Sequence, residues 1–217
     1  MLLKNERKKI VEYGIKTFNS CLNSETSGNL SIYNKNENLI AISPSGIDYL
    51  KLNDKSIVII DINGNIIQGQ YKPSSETDFH VALYKKRNDI NSIVHTHSIY
   101  ATTIACLNIE IPAIHYLIAL AGKKVPIASY AEFGSGKLAE NICKNIKNYN
   151  AVLLANHGLV SLGSSIKSAY LTAKEIEFVA RIYYQANNIG KPVILSNDEM
   201  EKVEKKFKTY GNKIIKK

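Results

Sequence analysis

Residues 56–69 read Ser-Ile-Val-Ile-Ile-Asp-Ile-Asn-Gly-Asn-Ile-Ile-Gln-Gly. The runs Ser56–Ile60 and Asn65–Gly69 are strand-like and rich in isoleucine. Between them stands Asn63-Gly64, a pair suited to the positive φ angles of a tight two-residue turn. The stretch therefore reads as an antiparallel hairpin. On its N-terminal side lie two further strand patterns, Asn29–Tyr33 and Leu39–Ser43, after the polar segment Asn23–Gly28. Before them, Ile10/Val11, Ile15, Phe18 and Leu22 recur at helical spacing over residues 5–22. On the C-terminal side, Pro73-Ser74-Ser75-Glu76 opens a helical segment to about Arg87. Then come a strand at Ser92–His97, a helix at Ser98–Leu107 and a short extended piece at Ile109–Pro112. A helix at Gly136–Tyr149 precedes a strand at Ala151–Asn156. The long helix Ser165–Asn188, the extended Lys191–Leu195 and a last helix Asp198–Tyr210 complete the order. Hairpin strands flanked by helices, with no repeat or linker, predict a single three-layer α/β domain over residues 1–217.

Composition narrows the function classes. The chain has 217 residues, 45% of them hydrophobic and 22% charged, as in a soluble globular protein. No apolar run approaches the ~18–20 residues that span a bilayer. The opening MLLKNERKKIVEYG lacks the apolar core of a secretion signal. Cys21, Cys106 and Cys143 are scattered and never form a CxxC pair, which excludes a disulfide framework and a zinc ribbon. They are expected to be small buried hydrophobes of a cytoplasmic protein. The net charge is +9, but the lysines are dispersed and most dense at Lys202–Lys217. No basic stripe alternates with stacking aromatics, so neither nucleic acid nor membrane is an expected partner.

The chemical signal is a set of histidines. In His95-Thr96-His97 two imidazoles stand two residues apart on a strand, and so share a face. His157 follows the apolar run Ala151–Ala155, at a strand end where functional groups gather. Three histidines at two strand ends make a candidate Zn²⁺ site with an open position. Glu76 is a plain helix-start acid, a general base, or a fourth metal ligand that substrate displaces. His80, on the following helix, reads as packed or solvent-facing, and His115 as an outer partner of the site. Thr26-Ser27-Gly28-Asn29-Leu30-Ser31, Ser43-Pro44-Ser45-Gly46 and Ser74-Ser75 offer hydroxyls and amides for an anion. Gly134-Ser135-Gly136-Lys137 lacks the full phosphate-loop pattern and is set aside.

Together these stretches resemble the class II aldolase and adducin-head family over nearly the whole chain. The segments Ile111–Tyr116, Tyr130–Gly134 and Phe207–Gly211 are closer to its fuculose-phosphate aldolase branch than to its epimerase branch. The resemblance implies a central mixed, largely antiparallel sheet flanked by helices. It implies Zn²⁺, or another divalent transition metal, on His95, His97, His157 and Glu76. It implies a substrate phosphate held by Thr26, Gly28, Asn29, Ser45, Gly46, Ser74 and Ser75. Ser43 and Ser45 stand where the branch commonly has threonines, with the hydroxyls retained. Glu76 would move a proton at C3 of the sugar, and Tyr116 of a neighbouring subunit would serve the leaving aldehyde oxygen. Phe133 and Phe207 would wall the pocket, and Tyr210, in a C-terminal lid of about residues 198–217, would close over it. The implied enzyme is a homotetramer with sites between subunits. It would cleave a ketose 1-phosphate of the L-fuculose type to dihydroxyacetone phosphate and a small aldehyde such as lactaldehyde. The alternatives on the same site are an epimerase, a dehydratase or an aldolase for another deoxyketose phosphate. Outside it stand a Schiff-base aldolase on Lys72 and a non-catalytic scaffold.

Overall fold

Backbone pairing in the computed structural model, which describes residues 1–209, joins eight strands into one sheet. They are β1 (Asn29–Asn34), β2 (Leu39–Ile42), β3 (Val58–Asp61), β4 (Ile66–Gln68), β5 (Ser92–Thr96), β6 (Ile127–Ala128), β7 (Ala151–Leu154) and β8 (Gly158–Gly163). The spatial order is β4-β3-β2-β1-β5-β8-β7-β6, antiparallel throughout except for the parallel pair β6–β7. The helices are α1 (Lys4–Asn19), α2 (Thr77–Lys86), α3 (Ile99–Cys106), α4 (Gly136–Ile146), α5 (Ile166–Ile189) and α6 (Asn197–Thr209).

Side chains alternate across each strand, so a sheet covered on both faces needs apolar residues at nearly every position. Val152 and Leu154 of β7 pack on one face with Phe79 and Leu83 of α2 and Leu138 and Ile142 of α4. Leu153, between them, joins the other core with Ile10 of α1, Ile104 of α3, Ile176 of α5 and Met200 of α6. Each buried Leu or Ile contributes roughly 1.5–3 kcal/mol relative to exposure. These two cores are the outer seams of the expected three layers.

Several expected boundaries shift. The hairpin loop is one residue longer than a two-residue turn. Gly64 N–H donates to the Asp61 carbonyl at 3.1 Å, Asp61 N–H to the Asn65 carbonyl at 2.9 Å, and only Gly64 has φ above zero (87°). That is a three-residue loop with a glycine bulge, and the β3–β4 register slips accordingly. α1 stops at Asn19, and Cys21 turns left-handed at φ 54°. α4 stops at Ile146 because Lys147 leaves helical space at φ 42°. The Arg87 guanidinium then takes up the carbonyls of Lys147 and Tyr149 at 3.1 and 2.8 Å. The cysteines depart from the expected burial: Cys21 and Cys106 are exposed and Cys143 is half-buried. Cys21 lies in the turn after α1, Cys106 ends α3, and Cys143 falls outside the Leu138/Ile142/Ile146 stripe of α4. Among the described residues no helix is long and apolar enough to cross a membrane.

Candidate metal and phosphate-binding site

The central strands carry the histidines to one place. Antiparallel register sets Asn29 of β1 directly opposite His95 of β5. His97 follows β5, and His157 sits in the three-residue turn between β7 and β8, whose Asn156 adopts φ 55°. One ligand atom from each of the three rings lies within 4.8 Å of the others. The Nε2 atoms of His95 and His97 are 3.0 Å apart. Ligands at the ~2.0–2.1 Å of zinc–imidazole bonds stand about 3.3 Å apart in a tetrahedron. His95 Nδ1–H donates to the Leu159 carbonyl at 3.0 Å, which turns Nε2 inward toward the cluster.

Glu76 closes the cluster. Its Oε2 lies 3.2 Å from His95 Nε2 and accepts the Asn29 Nδ2–H at 2.9 Å. Its Oε1 lies 3.4 Å from His157 Nε2 and is buried with no hydrogen-bond partner among the described residues. Three imidazoles, a carboxylate and an orphaned oxygen suit a divalent transition metal. The helix-start reading of Glu76 gives way: it stands at the N-cap of α2, and its carboxylate makes no capping bond.

Electrostatics keep the Glu76 carboxyl ionised and the His97 and His157 rings neutral. Burial alone would raise the Glu76 carboxyl. The charge and hydrogen bond of His95, with His157 and Asn29, outweigh it and hold the group well below the usual carboxylate range. Burial, reinforced by the neighbouring rings, lowers His97 to about 3 and His157 to about 4 against the pull of Glu76. Burial also lowers His80 to about 3. Neutral imidazoles are the ligand form.

A pH effect on stability follows. Between about 3 and the ordinary value near 6.5, the unfolded chain binds protons that the folded His80 does not. Its contribution is fully present above pH 6.5 and is lost as pH falls toward 3. For His80 alone the loss by pH 5 is roughly 2 kcal/mol, and His97 and His157 act in the same sense. Urea midpoints of chelator-treated protein at pH 7.5 and 5.0 check this, and equal midpoints would contradict it.

Two glycines let the backbone close around the cluster. Gly28 has φ 70°, and a Cβ there would lie 2.5 Å from the His95 carbonyl. A Cβ on Gly158 would lie 2.4 Å from the Thr96 carbonyl and 3.1 Å from the His97 ring. Gly158→Ala should therefore cost about 1–3 kcal/mol and lower metal occupancy. Thermal unfolding and elemental analysis read the two effects separately.

The anion cradle lies against the same cluster. Ser45 N–H donates to the Lys72 carbonyl and Ser74 N–H to the Ser43 carbonyl, both at 3.0 Å, so the two serine loops run side by side. One cavity of about 320 Å³ is lined by Thr26, Gly28, Asn29, Ser45, Gly46, Ser74, Ser75, Glu76, His97, His157 and Phe133. His95 lies fully buried beneath it. Tyr116 and Phe207 do not line this cavity; their rings stack 6.2 Å apart where the 3-10 turn Tyr116–Leu120 meets α6. Tyr210 lies outside the described residues. His115 is no partner of the cluster: its Nδ1 accepts the Leu117 N–H at 3.3 Å. Lys72 is exposed and absent from the cavity wall.

Sequence reasoning missed two residues. Asn23 receives the His97 N–H at 3.0 Å and donates to the His95 carbonyl at 3.3 Å, clamping the end of β5. His80 is fully buried beside Asn29. Nothing local marks Asn23, whereas the four-residue spacing from Glu76 to His80 was a usable signal.

This arrangement is that of a known fold. The chain belongs to the class II aldolase and adducin N-terminal domain family, whose model matches residues 8–184. It is 50% identical over 211 residues to the 5-deoxy-D-ribulose 1-phosphate aldolase of Bacillus thuringiensis, covering 97% of this chain and 99% of that one. It is 40% identical over 209 residues to the L-fuculose phosphate aldolase of Escherichia coli K12, covering 95% and 96%. A solved L-fuculose 1-phosphate aldolase superposes with a TM-score of 0.94 at 42% identity, covering 96% of this chain and 98% of that one. Class II aldolases are metal-dependent lyases, and the three-histidine ligand set is present here.

Proposed function

We propose that the chain is an aldolase that cleaves a deoxyketose 1-phosphate between C3 and C4, giving dihydroxyacetone phosphate and a small methyl-ended aldehyde. The observation that carries this reading is a single cavity joining the Glu76–His95–His97–His157 cluster to the serine and amide cradle. A 5-deoxypentulose 1-phosphate is the first candidate substrate, by likeness to the Bacillus thuringiensis enzyme. L-Fuculose 1-phosphate is the second, by likeness to the Escherichia coli enzyme.

His95, His97 and His157, with Glu76, would hold Zn²⁺ or a similar cation, which supplies Lewis-acid stabilisation of the charge that develops beside the carbonyl. The phosphate binds among Thr26, Gly28, Asn29, Ser45, Gly46, Ser74 and Ser75. The buried Oε1 of Glu76 faces the reacting carbon. In condensation it removes the proton from the carbon next to the carbonyl, and in cleavage it returns that proton. Phe133 walls the aldehyde end.

Tyr116 exchanges a proton with the aldehyde oxygen, taking it from the C4 hydroxyl in cleavage and giving it back in condensation, and acts in a neighbouring subunit of a homotetramer. Its phenol stands half-exposed and outside its own chain's cavity, which supports this placement. Phe207, stacked on Tyr116, goes with it to the neighbouring subunit's site.

The test is a product assay on metal-loaded protein with 5-deoxyribulose 1-phosphate and L-fuculose 1-phosphate. Dihydroxyacetone phosphate, with the larger kcat/KM for the pentulose, is expected. No such product from either sugar overturns the proposal. For Tyr116, mixed oligomers of Tyr116→Phe and Glu76→Gln subunits should regain activity that neither variant has alone. Absence of recovery in verified mixed oligomers overturns action across subunits.

A further inference from the structure

Glu76, His80 and Tyr84 follow at four-residue spacing at the start of and along α2, so they share one helix face. Asn29 and Ser31, two apart on β1, share one face of the sheet. Four helical residues advance about 6 Å and two strand residues about 6.6 Å, so the two rows interleave without slipping. The contacts show the match. The Ser31 hydroxyl lies 2.7 Å from both Tyr84 Oη and His80 Nδ1. His80 Nε2 lies 2.6 Å from Asn29 Oδ1, and Asn29 Nδ2–H donates to Glu76 Oε2 at 2.9 Å. All five side chains are buried.

One end of this chain fixes every direction in it. An ionised carboxylate only accepts hydrogen bonds, so the amide nitrogen of Asn29 must face Glu76. The amide oxygen then faces His80, whose Nε2 must carry the proton. His80 Nδ1 is left with a lone pair for the Ser31 hydroxyl, and Ser31 Oγ receives the Tyr84 O–H. Asn29 keeps one amide hydrogen, and it lines the cavity. Without a donor at His80, the Asn29 amide oxygen loses its buried partner, and the side chain is free to swing away from the carboxylate.

We infer that His80 is a positioning residue: its Nε2–H locks the Asn29 amide, which grips Glu76 Oε2 and leaves Oε1 free for proton transfer. The inference rests on Glu76 acting as the base of the aldolase proposed above. Residues that orient a reacting group from behind typically change activity 10–100-fold when removed.

Two variants and a spectrum test it. His80→Leu in metal-loaded protein should lower kcat by about 10–100-fold and raise KM, with metal content unchanged. His80→Gln, whose amide nitrogen can donate from near the Nε2 position, should regain most of the loss. Parental kinetics in His80→Leu overturn the inference. So does equal impairment of both variants with metal in place, because then only the ring's volume matters. Nitrogen-15 spectra of the metal-free parent give a readout independent of turnover. His80 should be the neutral Nε2–H form at pH 6, with a protected Asn29 side-chain amide that loses its protection in His80→Leu. An Nδ1–H or charged ring at that pH overturns the inference. If the parent cleaves neither sugar phosphate, the aldolase proposal falls while the spectra still decide the role of His80.

Discussion

Glu76→Gln protein will keep its metal and lose about 10²–10⁴ of its turnover, the range general acid–base groups contribute. The amide matches the carboxylate in shape, so the three imidazoles stay in place and the cradle is untouched. What disappears is the basicity of Oε1, which is buried with no hydrogen-bond partner among the described residues. KM for the sugar phosphate should therefore stay near the parent value while kcat collapses. Elemental analysis beside steady-state kinetics measures both. Unchanged turnover would remove Glu76 from the chemistry. Loss of metal along with turnover would make ligation its main task.

His95→Ala removes the ring at the centre of the cluster. His95 is fully buried and stands next to His97, His157 and Glu76. Metal content should fall from near one per chain to under a tenth, and activity with it. A folded-state readout separates this from collapse of the structure. A metal at one hundred times its Kd stabilises the parent by about 2.7 kcal/mol, or roughly 5–10 °C in Tm for a chain of this size. The variant should unfold cooperatively without metal and show no such rise on its addition. A parental rise, or full metal occupancy, would show that His97, His157 and Glu76 suffice.

The site was more legible in the sequence than the fold's edges. His95-Thr96-His97 needed only strand alternation to put two rings side by side; β5 ends at Thr96, and His97, the next residue, still sets its Nε2 3.0 Å from that of His95. Asn156-His157-Gly158 was readable as a strand end, but β8 beyond it was not. Its six residues are bounded by Gly158 and Gly163, and their pairing comes from the distant β5 as well as β7. The two-residue strand β6 is likewise set by its parallel partner β7 and not by local pattern. The start of α3 shows the same limit. Ser98 stands at the N-cap, yet the N–H groups of Tyr100 and Ala101 go to the carboxylate of Glu177 on α5. Placing that acid required the tertiary structure. The cysteine expectation failed because burial follows position on an element and not residue type alone.

The two rims of the sheet are stunted: β4 has three residues and an irregular register, and β6 has two. Long, flat rims are templates on which further chains can polymerise by backbone ladders. Here each rim leaves too few aligned amides for such growth, so crowded preparations of the folded protein should resist fibril formation.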